Sequence, residues 1–195
     1  MSPDARLAQK SDVPRVAAAL ARAFHDDPVM TYLMPTERNR RQLVPFFVSE
    51  AKRSLKKGEL YTIDDHAGGA IWSAPGNWRL GGIELVGQLP LLVRFGLRTP
   101  RALKVLGMME KVHPHEPHWY LAVLGTEPAK QGKGFGGSLL APVLDRCDSE
   151  GMPAYLESSK EANIPFYRRH GFRVVEELRL PKGPVIYPMW RDPQG

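Results

Sequence analysis

Only one cysteine, Cys147, stands among the 195 residues. No internal disulfide can form, so a covalent framework is excluded as the source of stability. Long apolar runs are also missing. The greasiest stretch, residues 85–97, is broken by Gln88, Pro90 and Arg94, so no membrane span is expected. The first residues, MSPDARLAQKSD, contain no apolar h-region, which argues against a secretory signal. A cytoplasmic, reducing compartment is the expectation. No repeat or low-complexity tract occurs, and the 18 glycines and 18 prolines are scattered with no concentration in a linker. One domain over residues 1–195 is therefore expected.

What the chain does hold is an ordinary globular composition, 43% hydrophobic and 25% charged, and an excess of positive charge. The net charge of +6 invites an anionic partner. Its distribution is uneven: residues 115–195 carry ten basic and ten acidic groups, and the whole excess lies before them. Basic runs at 38–57 and 78–111 lack aromatic interleaving and any nucleic-acid motif, so solvated helix faces are the preferred reading and no nucleic acid is expected.

Val13, Val16, Ala17, Leu20 and Phe24 follow Ser11-Asp12 at helical spacing, with those two residues as candidate caps. A second helix is expected over 37–57, ended by Gly58. Two short strands follow, 59–63 and 70–73. Residues 82–112 read as two or three short helices that could roof a pocket. Strands at 118–124 and 154–158 flank a helix over 133–150, in which Pro142 predicts a kink. A short helix at 163–170 leads to strands at 172–180 and 185–191. The expected class is a mixed α/β (α+β) sheet with helices on both faces.

The segment Gln131-Gly-Lys-Gly-Phe-Gly-Gly137 follows a strand and opens a helix. Glycines let backbone N–H groups approach a ligand, and a helix N-terminus favours an anion. Phosphate or pyrophosphate binding is the chemistry implied. The Walker pattern fails, because Glu127 occupies its first glycine position and Gly134 follows Lys133. A dinucleotide pattern matches formally at Gly132, Gly134 and Gly137. Its first glycine, however, does not close the strand, and too little chain follows for a doubly wound sheet.

The order of features then becomes specific: strand 121–126, Gln131-x-x-Gly134-x-Gly136, a strand bearing Glu157, Asn163, Tyr167 and His170-Gly-Phe172. From Trp119 to Phe172 this resembles the GNAT superfamily of N-acetyltransferases, and its wording is similar to the puromycin-acetylating branch. The resemblance implies the acyl-CoA N-acyltransferase fold, acetyl-CoA as co-substrate, a small-molecule amine as acceptor and no metal. Antibiotic or xenobiotic detoxification is one role it suggests. Leu124, Gly125 and Thr126 would bind the pantetheine arm. Gln131, Gly132, Lys133, Gly134, Phe135 and Gly136 would wrap the pyrophosphate. Tyr167 would protonate the departing thiolate, and Glu157 would accept the ammonium's proton, with Glu116 and His118 as rivals. Asn163 would either contact CoA or cap its helix; Lys160 sits at the more usual family spacing from Tyr167. A non-catalytic acyl-CoA sensor is the alternative reading. Monomer and homodimer both stay open.

Trp72, Trp119, Phe24 and Asp27 are candidates for the acceptor pocket. His113, His115 and His118 have a metal-like pattern, but Pro114 and Pro117 place them in a loop without a further ligand motif, and metal is not the preferred reading. Cys147 falls on a buried helical stripe.

Overall fold

A computed structural model of the protein describes residues 4–78 and 98–195. The stripe of Val16, Ala17 and Leu20 forms the buried face of α1 (Val13–Ala23), with no exposure at any of the three. Removing Val16 and Leu20 from water contributes roughly 1.5–3 kcal/mol each. Asp12 stands at the helix start but does not cap it. Its carboxylate is drawn instead to Arg6, the Gln9 amide and His66.

Asp27 is the residue that caps. It accepts from the amides of Val29 and Met30 at 2.9 Å and starts α2 (Pro28–Leu33). The helix expected over 37–57 is split into α3 (Glu37–Arg40) and α4 (Leu43–Lys57). Pro45 explains the break: it has no N–H for the Arg41 carbonyl, and its ring would collide with that group in a continuous helix. Gly58 closes α4 in the left-handed conformation.

Strand β1 (Ala5–Leu7) has no counterpart in the sequence reading, because three residues are too few for alternation to register. It pairs with β2 (Leu60–Ile63), which pairs with β3 (Gly68–Ser73). Then come α5 (Thr99–Val112), β4 (Trp119–Thr126), α6 (Phe135–Glu150), β5 (Ala154–Ser158) and α7 (Ile164–Arg169). Of the roof expected over 82–112, only its end is seen, as α5; residues 79–97 lie outside the described part. Helix α6 is continuous through Pro142. The strand expected over 172–180 is two short ones, β6 (Arg173–Val174) and β7 (Leu178–Arg179), each paired to β8 (Val185–Arg191).

The sheet runs β1-β2-β3-β4-β5-β8-β6, antiparallel except for β4 and β5. One core, with α1, α2, α4 and α5, covers one face. A second, under α6 and α7, covers the other. Arg191 fastens α6 to the chain after α7: it grips Asp148 with two bonds of 2.7 Å and donates to the His170 carbonyl at 2.9 Å.

Two irregularities open the sheet at its centre. Ile71 faces Val123 and Trp72 faces Leu121, so Ala122 is a bulge with no partner on β3. The parallel pairing of β4 with β5 ends at Leu121 and Leu156. Beyond that point the two strands share no pairing, and the flank of β4 from Ala122 to Thr126 faces a wedge. Gly125 lets α1 sit close to this flank: a Cβ there would lie 2.8 Å from Leu20 and 3.1 Å from Phe24.

Candidate active site

The wedge between β4 and β5 leads into a cavity of about 630 Å³. One wall is the β4 flank, including Leu124, Gly125 and Thr126, and the loop that follows. Gln131 donates to the Thr126 carbonyl at 3.3 Å, which ties the loop to the strand end. Gly134 stands at the helix start with φ of 85°, a conformation that costs a side-chain-bearing residue roughly 1–2 kcal/mol. The chain therefore turns straight into α6, whose first-turn N–H groups have no intrahelical partners. Gln131, Gly132, Gly134, Phe135 and Gly136 all border the cavity. Lys133 does not. It turns back to the Ala129 carbonyl at 3.0 Å, away from the wedge.

Asn163 precedes α7 and borders the cavity, and its side chain makes no capping bond. Lys130, Arg169 and His170 also border it. Lys130 and Arg169, from separate elements, give it a cationic rim, while burial holds the His170 imidazole below its ordinary range. Lys160 lines the same space but is engaged by Asp26 at 2.8 Å.

Tyr167 and Glu157 approach the cavity from α7 and β5. Tyr167 is 8% exposed. Burial, reinforced by the Asp27 carboxylate, holds this phenol well above its ordinary range, so it stays protonated. The Glu157 side chain is 3% exposed, and its Oε1 lacks a hydrogen-bond partner. It lies 3.5 Å from His113 Nδ1. Glu157 also raises the buried phenols of Tyr120 and Tyr155, after burial itself as the larger cause.

Phe24 and Asp27 border the cavity, and Asp27 accepts from Ser159 as well as capping α2. Trp72 and Trp119 do not. Trp72 is fully buried in the core under α6, and Trp119 lies in the same core beneath the Arg146 guanidinium, 4.9 Å away. Strand alternation sends both to the face opposite Tyr120. His113 and His118 face each other at 3.0 Å between Nε2 atoms, and Trp78 stacks on His113 at 3.6 Å. Among the described residues, no group of three or more His, Cys, Asp or Glu is placed to hold a metal ion. Cys147 is buried in the α6 core and its thiol is pushed up to about 12, so it is not a nucleophile for this cavity.

The sequence profile of the Acetyltransferase (GNAT) family matches residues 59–172, the span from β2 to the end of α7 and its turn. The chain belongs to the GNAT family of acetyltransferases. This GNAT chain is similar to an uncharacterized N-acetyltransferase of Schizosaccharomyces pombe, 29% identical over 97% of this chain and 83% of that one. It is similar over a shorter stretch to the L-methionine sulfoximine/L-methionine sulfone acetyltransferase of Salmonella typhimurium, 36% identical over 34% of this chain and 40% of that one. Among solved structures, a histone acetyltransferase HPA2 and related acetyltransferase from Corynebacterium glutamicum shares the fold. Its TM-score is 0.71, at 24% identity over 100% of this chain and 98% of that one. A PaiA N-acetyltransferase from Thermoplasma acidophilum in complex with coenzyme A shares it at TM-score 0.57 and 13% identity, covering 98% and 99% of the two chains. The protein is thus an N-acetyltransferase of GNAT fold that uses acetyl-CoA.

Proposed function

We propose that the protein moves the acetyl group of acetyl-CoA directly to the amine of a small molecule, with both substrates held in the wedge. The observation that carries this reading is the wedge itself: unpaired β4 backbone, the start of α6, Glu157 and Tyr167 all border one cavity. The residues suit CoA, because helix-start amides and the Lys130 and Arg169 cations match a pyrophosphate. Acetyl-CoA supplies an activated thioester. The chain supplies the rest. Backbone N–H groups of the β4 flank face the carbonyl oxygen, where negative charge develops. Glu157 takes a proton from the ammonium so that a neutral amine attacks. Tyr167 protonates the departing sulfur. Proximity replaces a covalent enzyme intermediate.

A small acceptor is supported by the relative named for L-methionine sulfoximine and L-methionine sulfone. The positive excess before residue 115 disfavours polycationic acceptors. Detoxification of an antibiotic or other foreign amine fits this reading.

The test is turnover of acetyl-CoA against aminonucleosides, arylalkylamines, amino acids, polyamines and peptide N-termini. A small monoamine should be acetylated. Tyr167→Phe should lose roughly 100-fold or more in kcat while calorimetry shows unchanged CoA binding. Turnover confined to polyamines or peptides would overturn the small-molecule acceptor. Tight CoA binding without any turnover would identify a non-catalytic acyl-CoA sensor instead.

A further inference from the structure

Beneath Glu157 lies a chain of hydrogen bonds whose proton positions are set by chemistry. His118 Nδ1 is 2.6 Å from the Glu116 carbonyl oxygen. A carbonyl only accepts, so Nδ1 carries the hydrogen. His118 is 1% exposed, and burial holds it below its ordinary pKa, hence neutral, with a bare Nε2. His113 Nε2 stands 3.0 Å from that lone pair, so His113 must donate from Nε2. The remaining ring nitrogen, His113 Nδ1, is then left as an acceptor. It faces Glu157 Oε1 at 3.5 Å, an oxygen that has no hydrogen-bond partner among the described residues. Two acceptors facing each other where both side chains are 3% exposed leave room for a donor between them.

We propose that His113 is the positioning residue of Glu157: its Nδ1 and Glu157 Oε1 share a single exchangeable proton. His118 and the Glu116 carbonyl hold the ring in the required tautomer, and the stack on Trp78 holds its plane. The inference rests on Glu157 as the base. A proton taken up by Glu157 is then held between the two groups. The protons balance. An ammonium gives up two N–H protons on becoming an amide: one ends on the CoA sulfur through Tyr167, and the pair holds the other until it is released to water.

Other groups face His113. Tyr120 on β4 and Tyr155 on β5 lie edge-on, at ring distances of 4.9 and 4.8 Å. Both phenols stay protonated by burial, so neither supplies a competing charge. Glu50 on α4 and Glu176 add more distant negative charge to Tyr120 and Tyr155 respectively.

The test is a pH titration of histidine-labelled protein by long-range ¹H–¹⁵N NMR, paired with pH–rate profiles on an accepted amine. Wild type should show His118 as the Nδ1–H tautomer throughout, and His113 as Nε2–H at high pH gaining a second proton on acidification. Glu157→Gln should move the His113 titration down by about one pH unit or more, because a negative partner is lost. His113→Asn puts an amide donor on Glu157. It should shift the acid limb of kcat/KM to lower pH by a similar amount and cut kcat about tenfold at pH 7. A His113 found as the Nδ1–H tautomer, or one whose titration ignores Glu157→Gln, overturns the proposal. So does a His113→Asn profile lowered evenly at every pH. Full activity of Glu157→Gln would instead remove Glu157 as the base.

Discussion

Asp12 shows how one side chain can be read correctly as important and wrongly in its role. Sequence position makes it a helix cap, yet its carboxylate serves a network. Arg6, first, and then the Gln9 amide and His66 hold it well below its ordinary value of 3.8. The folded state therefore favours the ionised form. That contribution is complete above the unfolded value and is lost as pH falls through 3.8 toward the folded value. Urea unfolding should show stability falling between about pH 5 and pH 2, and Asp12→Asn should flatten that slope. An unchanged slope would show that other carboxylates govern the acid limb. Asn163 failed as a cap in the same way that Asp12 did: cap identity depends on a side-chain rotamer that neighbours decide, and the sequence does not contain the neighbours. Tyr167 and Glu157, which both border the cavity, could be singled out because each sits in a short ordered run of motif residues. His113 was seen only as one of three histidines. Its nearness to Glu157 depends on β4 and β5 lying side by side.

At the scale of elements, the glycine loop was the most legible part of the chain. The anion binding proposed for it needs only backbone and contiguous residues, so a linear pattern is sufficient. Gly134→Val should disturb the left-handed start of α6 and put a branched side chain at the cavity wall. CoA affinity by calorimetry should drop at least about tenfold, an effect of roughly 1.4 kcal/mol, with the helix content by circular dichroism unchanged. Equal affinity would remove the loop from CoA binding. The elements missed were those that tertiary contacts create or divide. Strand β1 exists because β2 offers it an edge, and β6 and β7 because β8 pairs with each in turn. The break before α4 was in principle readable from Pro45, whose missing N–H needed only to be weighed against the apolar stripe.

At the scale of the molecule, the positive charge needs a finer account than its division along the chain. Residues 115–195 are neutral in sum, yet Lys130 and Arg169 from that half both reach the cavity, while acidic groups such as Asp145 and Glu150 lie elsewhere on α6. A neutral half can thus present a positive rim. CoA affinity should fall several-fold as salt rises from about 0.05 to 0.5 M, because screening shortens the reach of these charges. Arg169→Ala should weaken binding and flatten the salt dependence. A salt-independent affinity in wild type would assign recognition to the backbone alone.

The sequence by itself determined the family and the mixed α/β class, and it singled out the glycine loop that borders the cavity. Those depend on periodicity, glycine conformations and residues adjacent in the chain. Only the tertiary structure decided which side chains face the wedge. It buried Trp72 and Trp119 in the α6 core, turned Lys133 outward, and set His113 against Glu157. The physical reason is range: a helix start binds an anion through groups a few residues apart. A side-chain pocket is built across strands, where one bulge at Ala122 and the end of pairing at Leu121 choose which residues face the wedge.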